Sequence, residues 1–140
     1  MAELKFDYKN YGPGIYRPVV AVEIERAGVT VSYEVLVDSG ADRNIFDAQL
    51  AEIMGFDVTG GRRHEVAGIT GDVRTYYIHP VTMIIGGSWR FETEAGFMPD
   101  MGSQAHGVVG QIGFFEFFKV TFDHAAKRIE LKRTFEKKKE

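Results

Sequence analysis

Over most of this chain the apolar positions fall two apart. From Pro18 to Glu25, Val20, Val22 and Ile24 alternate with Ala21, Glu23 and Glu25, the period of a strand with one buried face. Ala27-Gly28 turns the chain, and Val29 to Val37 returns as the second arm of a hairpin. Thr75 to Ile85 and Trp89 to Phe97 alternate around Gly86-Gly87, and Val120 to Asp123 pairs with Arg128 to Lys132 over a turn at His124 to Lys127. Glu65 to Val73 reads as two strand segments around Gly68-Ile69-Thr70-Gly71, a tip suited either to closing over a ligand or to a plain surface turn. The pattern predicts eight or nine strands and a mostly β protein.

Helical spacing shows twice. Ala48 to Met54 puts Leu50, Ile53 and Met54 on one face, with Asp47 as the cap and Gly55 as the stop signal. Gln111 to Phe118 brings Ile112, Phe115 and Phe118 to a spacing that suits a second short, buried helix, and its phenylalanines read as core. Phe6 to Arg17, rich in Tyr, Gly and Pro, predicts an irregular arm carrying aromatic side chains. Val58 to Arg63 and Pro99 to His106 read as polar connections.

Composition narrows the class. A chain of 140 residues, 44% hydrophobic and 13% aromatic, suits one globular domain over residues 1–133 followed by a charged tail, 134–140. The formal charge of −3 and the lack of basic residues interleaved with aromatics argue against nucleic acid. The basic cluster from Lys132 to Lys139 is diluted by Glu136 and Glu140 and reads as a solvated end. No run approaches the ~20 apolar residues that cross a bilayer, and Met1 to Asn10 lacks the apolar core of a signal peptide. A soluble, cytoplasmic protein with no membrane partner is the expectation.

Elimination narrows the chemistry. With no cysteine there is neither a thiol nucleophile nor a thiolate metal site. His64, His79, His106 and His124 lie in no ligand spacing, so no metal is expected; no Gly-x-Ser-x-Gly elbow or phosphate loop is present, and no cofactor is called for. What remains is Asp38. The buried-strand run Val35-Leu36-Val37 delivers it to a strand end, where Ser39 can hydrogen-bond locally and Gly40 admits backbone angles closed to other residues.

One carboxylate can serve as a base, but amide hydrolysis by carboxylates alone wants two that share a proton, one accepting from water while the other donates to the carbonyl. Asp-Ser-Gly-Ala occurs once here, so the second acid has to come from a second chain about a two-fold axis. Other readings stand beside this one: a silent binding or oligomerisation module, or a β domain in which Asp38 merely caps a turn.

In these residues, and in their order from Arg17 to Leu131, the chain resembles the retropepsin-like aspartic proteases, most of all the non-viral, bacterial-type members. The resemblance rests on Asp38-Ser39-Gly40-Ala41-Asp42 after an apolar strand, a Gly-rich flap at Gly68 to Gly71, Val108-Val109-Gly110, and the closing Val120-Thr121-Phe122-Asp123 hairpin. It implies a closed, barrel-like single lobe, a homodimer and an extended polypeptide substrate. It implies Asp38 as the catalytic acid and Ser39, with Gly40, as the brace of the active-site loops, the serine hydroxyl bonding across the dimer. Gly40, Asp42, Gly68, Ile69, Thr70 and Gly71 would contact substrate, and Gly110 would let the next segment pass close behind the loop. Where viral members place an arginine that pairs with the acid matching Asp42, this chain has Gln111. Val37, Ile45, Ile69, Val108 and Val109 are the candidates for an apolar cleft.

Overall fold

A computed structural model of the protein describes residues 3–67, 70–101 and 106–134. The strands are β1 (Glu3–Asp7), β2 (Lys9–Gly12), β3 (Ile15–Arg17), β4 (Val19–Arg26), β5 (Val29–Val37), β6 (Ile45–Asp47), β7 (Arg62–Ala67), β8 (Val73–Ile85), β9 (Trp89–Met98), β10 (Gly107–Val109), β11 (Phe118–Asp123) and β12 (Arg128–Arg133). One helix, α1 (Gln49–Met54), and a 3₁₀ turn (Val58–Gly60) complete the described elements, none of them a helix long and apolar enough to cross a membrane. The protein is mostly β, as its pattern predicts.

The main sheet runs β4-β5-β10-β6-β9-β8-β7, and β8 also pairs with β4, so the path of pairings returns to its start. Its core is the set of positions the alternation picks out. Val20, Val22 and Ile24 of β4, Val35 and Val37 of β5, and Met83 and Ile85 of β8 are buried with Phe46, Phe91, Phe97 and Phe114. Sealing apolar surface of this extent is the main stabilising term of the fold.

One feature of the topology positions the site. β5 and β6 follow each other in sequence yet do not pair; β10 lies between them, parallel to β5 and antiparallel to β6. Residues 38–44 must therefore arch over the end of β10.

The amino-terminal segment corrects the expected irregular arm. β1 pairs with β12 from Glu3↔Lys132 to Asp7↔Arg128, and β2 with β3 forms a small hairpin. Leu4 and Phe6 pack towards Ile129 and Leu131, which are wholly buried, while Glu3, Lys5 and Asp7 face water. The period of two was present there, beneath the turn-forming residues that follow.

The second correction concerns residues 111–117, which form successive turns rather than a helix. The N–H groups of Gln111 and Ile112 go to the carbonyls of Ala41 and Asp42, Gly113 takes a left-handed φ of 103°, and its N–H goes to the Glu116 carboxylate. The donors that would open an i→i−4 ladder find other partners, Phe115 N–H at the Gly110 carbonyl and Phe117 N–H at that of Phe114, so the segment turns without becoming a helix. Its rings still fill the core, with Phe114 and Phe118 buried and Phe118 stacked on Trp89 at 5.6 Å. In α1 the buried set is Leu50, Ala51 and Met54, and Ile53 is 66% exposed, so the apolar face is turned from the one expected. Asp47 accepts from the Gln49 N–H and Gly55 ends the helix at φ 86°.

Candidate active site

Asp38 follows directly on β5. Its N–H donates to the Val109 carbonyl at 3.0 Å, which carries the β5–β10 pairing one residue further and fixes the base of the arch. The chain then folds back on itself. Ala41 N–H donates to the Asp38 carbonyl at 3.1 Å, and Gly40 N–H donates to the Asp38 carboxylate at 2.9 Å. Such an Asx turn locks the side chain against its own loop. Asp38 is half-buried, whereas Ser39, Gly40 and Asp42 are exposed.

Gly40 does not adopt the left-handed backbone that its type allows. Its smallness matters instead, since a Cβ there would lie 3.2 Å from the Asp38 carboxylate oxygen that its own N–H serves.

Beneath the arch runs the segment that leaves β10. Gly110 has no room for a side chain: a Cβ would fall 2.5 Å from the Ala41 carbonyl oxygen and 2.8 Å from that of Arg43. From there Gln111 N–H donates to the Ala41 carbonyl at 2.9 Å and Ile112 N–H to the Asp42 carbonyl at 2.8 Å. The Gln111 side chain reaches back to the Ser39 carbonyl at 2.8 Å. Asn44, wholly buried, accepts from Gly110 N–H and donates to the Glu94 carbonyl. Neither Asn44 nor the hydrogen bond of Gln111 was visible in the sequence. Each depends on partners more than sixty residues or a whole strand away, and no local pattern marks them.

The pairing register places Leu36, Val108 and Ile45 side by side across β5, β10 and β6, all partly exposed. Leu36 stands two residues before Asp38 and so shares its side of the strand. Val37 and Val109 do not belong to this surface; they are 2% and 0% exposed and lie in the core, which corrects their assignment to a cleft. Strict alternation explains the exchange, because the partly exposed side takes the residues between the core positions.

Of the hairpin tip, Gly68 and Ile69 lie outside the described residues. Thr70 is exposed, with its hydroxyl on the Asp72 carboxylate at 3.3 Å, and Gly71 has φ 89°. The arms β7 and β8 pair as far as Ala67↔Val73, and Arg74 holds the carbonyl of Asp100 at 2.7 Å. Buried His79 and His106 spend a ring nitrogen on the carbonyls of Val58 and Gly107. No three His, Cys, Asp or Glu residues among those described come together as a metal site.

A strand-borne Asp-Ser-Gly turn, with a glycine of the next apolar pair packed against its back, agrees with what family comparison finds: the aspartyl protease family profile matches residues 20–111. The chain belongs to the aspartyl protease family. Its fold is retropepsin-like. A crystal structure of a retropepsin-like aspartic protease from Rickettsia conorii superposes with a TM-score of 0.67 at 17% identity, covering 93% of this chain and 89% of that one. The EIAV protease complexed with the inhibitor HBY-793 is 21% identical over 73% of this chain and 88% of its own, with a TM-score of 0.49. Comparison with curated proteins gives no match.

Proposed function

We propose that the protein is an aspartic endopeptidase that works as a homodimer, with one Asp38 from each protomer facing the other across a two-fold axis. The observation that carries the reading is the mounting of Asp38: a half-buried carboxylate at a strand end, held by Gly40 N–H, in a chain of the aspartyl protease family. The sequence supplies Asp-Ser-Gly once, so a single chain holds half of the required pair.

In the dimer the two carboxyl groups share one proton, since like charges so close resist joint ionisation. The charged one takes a proton from water, whose oxygen bonds to the peptide carbonyl carbon; the protonated one gives its proton to the carbonyl oxygen. The resulting tetrahedral diol passes a proton to the amide nitrogen, the C–N bond breaks, and a carboxylic acid and an amine leave. Ser39, exposed on the same turn, braces the two loops through its hydroxyl. The barrel-like closure of each lobe holds the loop rigid, Gly40 and Asp42 meet the substrate backbone, and Gly68 to Gly71 fold over an extended polypeptide. Leu36, Val108 and Ile45 present an apolar floor, so hydrophobic residues flank the cleaved bond.

Digestion of a peptide library from acidic to neutral pH, wild type against Asp38→Asn, tests the chemistry, and sedimentation velocity tests the assembly. Cleavage that requires Asp38 and scales with the dimer is expected. Absence of cleavage by the wild type at concentrations where it is dimeric refutes the enzyme reading, and cleavage by a persistent monomer refutes the shared pair.

A further inference from the structure

We propose that Gln111 is a positioning residue for Asp38, acting through the single peptide group that joins Ser39 to Gly40. The inference rests on the reading of Asp38 as the catalytic acid. Gln111 Nε2 donates to the Ser39 carbonyl at 2.8 Å, and Gly40 N–H donates to Asp38 Oδ1 at 2.9 Å. That carbonyl and that N–H belong to one planar unit, and in a trans peptide they point in opposite directions. The glutamine and the carboxylate therefore hold the two edges of the same plate.

Two physical effects follow. Fixing the carbonyl edge removes rotation of the plate about its flanking bonds, so the N–H stays aimed at Oδ1. Donation to the carbonyl also polarises the amide, and hydrogen bonds in series strengthen one another, by about 10–30% per bond in condensed phase, so the N–H becomes a better donor to the carboxylate. Exposed Ser39 and Gly40 have little packing to hold this plate. The glutamine is itself anchored, because its own N–H is bonded to Ala41 at 2.9 Å and Ile112 N–H to Asp42 at 2.8 Å, so the side chain springs from backbone already fastened to the loop. The Asp42 carboxylate has no hydrogen-bond or ionic partner among the described residues, so the neutral amide braces the loop at its main chain and leaves that acid to the substrate.

Because Gln111 is exposed, its replacement spares the core. Gln111→Met keeps length and removes the donor; Gln111→Arg restores one. Kinetics are read at protein concentrations where sedimentation shows each variant fully dimeric, and the Gly40 amide proton is followed by ¹⁵N-resolved NMR. For Gln111→Met the expectation is a fall in kcat of about fivefold to tenfold with little change in KM, the loss typical of one hydrogen bond. The Gly40 amide proton should move upfield, and Gln111→Arg should recover both. An unchanged kcat, a loss cured by more protein, or an unmoved Gly40 resonance overturns the inference. Should the wild type cleave nothing, the protease reading falls, while the Gly40 resonance still decides whether the glutamine governs that peptide.

Discussion

Asn44 Oδ1 accepts a hydrogen bond from the Gly110 N–H at 3.1 Å, and the same amide donates from Nδ2 to the Glu94 carbonyl at 3.0 Å. One wholly buried side chain thus ties the end of the arch that carries Asp38 to the segment beneath it and to β9. Gly113 completes the seat, since a Cβ there would come within 2.6 Å of Asn44 Nδ2. Asn44→Leu, similar in volume but without polar atoms, strands a buried N–H and a part-buried carbonyl. The cost should be about 2–4 kcal/mol, read as a lower urea midpoint at unchanged m-value.

Gly110 and Gly60 make a controlled pair. A methyl at Gly110 meets backbone oxygen of Ala41 at 2.5 Å, and backbone cannot swing aside as a flexible side chain can. At Gly60 a methyl meets nothing within 4 Å, and φ is not left-handed. Gly110→Ala should cost about 1–3 kcal/mol and displace the loop that carries Asp38, so activity falls further than stability alone explains. Gly60→Ala should leave both within about 0.5 kcal/mol of wild type. Thermal denaturation with a peptide assay on the same samples checks the contrast.

These two cases mark what sequence can carry. The alternation in β4, β5, β8 and β9 is local, so strands and core were readable, as was the acid at the end of β5. The failures have separate physical origins. Residues 111–117 have apolar spacing fit for a helix, but Gly113 takes a left-handed φ among them, and the Phe115 and Phe117 N–H groups go to Gly110 and Phe114 rather than four residues back. Val37 and Val109 flank Asp38 and Gly110, which in sequence suits a cleft, yet the pleat sends them inward and turns Leu36 and Val108 out. The burial of Asn44 could not be foreseen, because a polar residue is tolerated there only when Gly110 and Glu94 stand at its two ends.

The hairpin between β4 and β5 carries a correctable flaw. Arg26 pairs with Val29, leaving a two-residue turn, Ala27-Gly28, with φ of 53° and 82°. Both angles are positive, the requirement of a type I′ turn, and alanine pays a steric penalty there that glycine or asparagine escapes. Ala27→Asn and Ala27→Gly should each raise stability, the first by about 0.5–1 kcal/mol and the second by less because it frees the unfolded chain. Among the described residues no hydrogen bond joins this turn to the loop that carries Asp38, so peptide cleavage should be unaltered. A lowered melting temperature in both variants would contradict the turn assignment.

The last prediction concerns alkaline pH. Burial raises the Tyr33 hydroxyl above its ordinary 10.0; the hydrogen bond from Asp47 N–H opposes this in part, and the nearby Asp47 charge adds to it. The ring explains the burial, lying edge-on to Phe46 at 5.4 Å and across Gly107, where a Cβ would be 2.6 Å away. A folded state that keeps its proton while the unfolded chain releases it is stabilised fully below pH 10.0, and loses that contribution as pH climbs towards the raised folded value. Lys9, raised by its hydrogen bond to Glu34, has the same sign. Tyr33→Phe should therefore be less stable than wild type at neutral pH by about 1 kcal/mol, through the lost acceptor for Asp47 N–H. Its stability should then fall less steeply above pH 10.0, so that the two urea midpoints converge. Parallel midpoints across that range would mean that Tyr33 does not ionise differently in the two states, and the alkaline loss would then belong to Lys9.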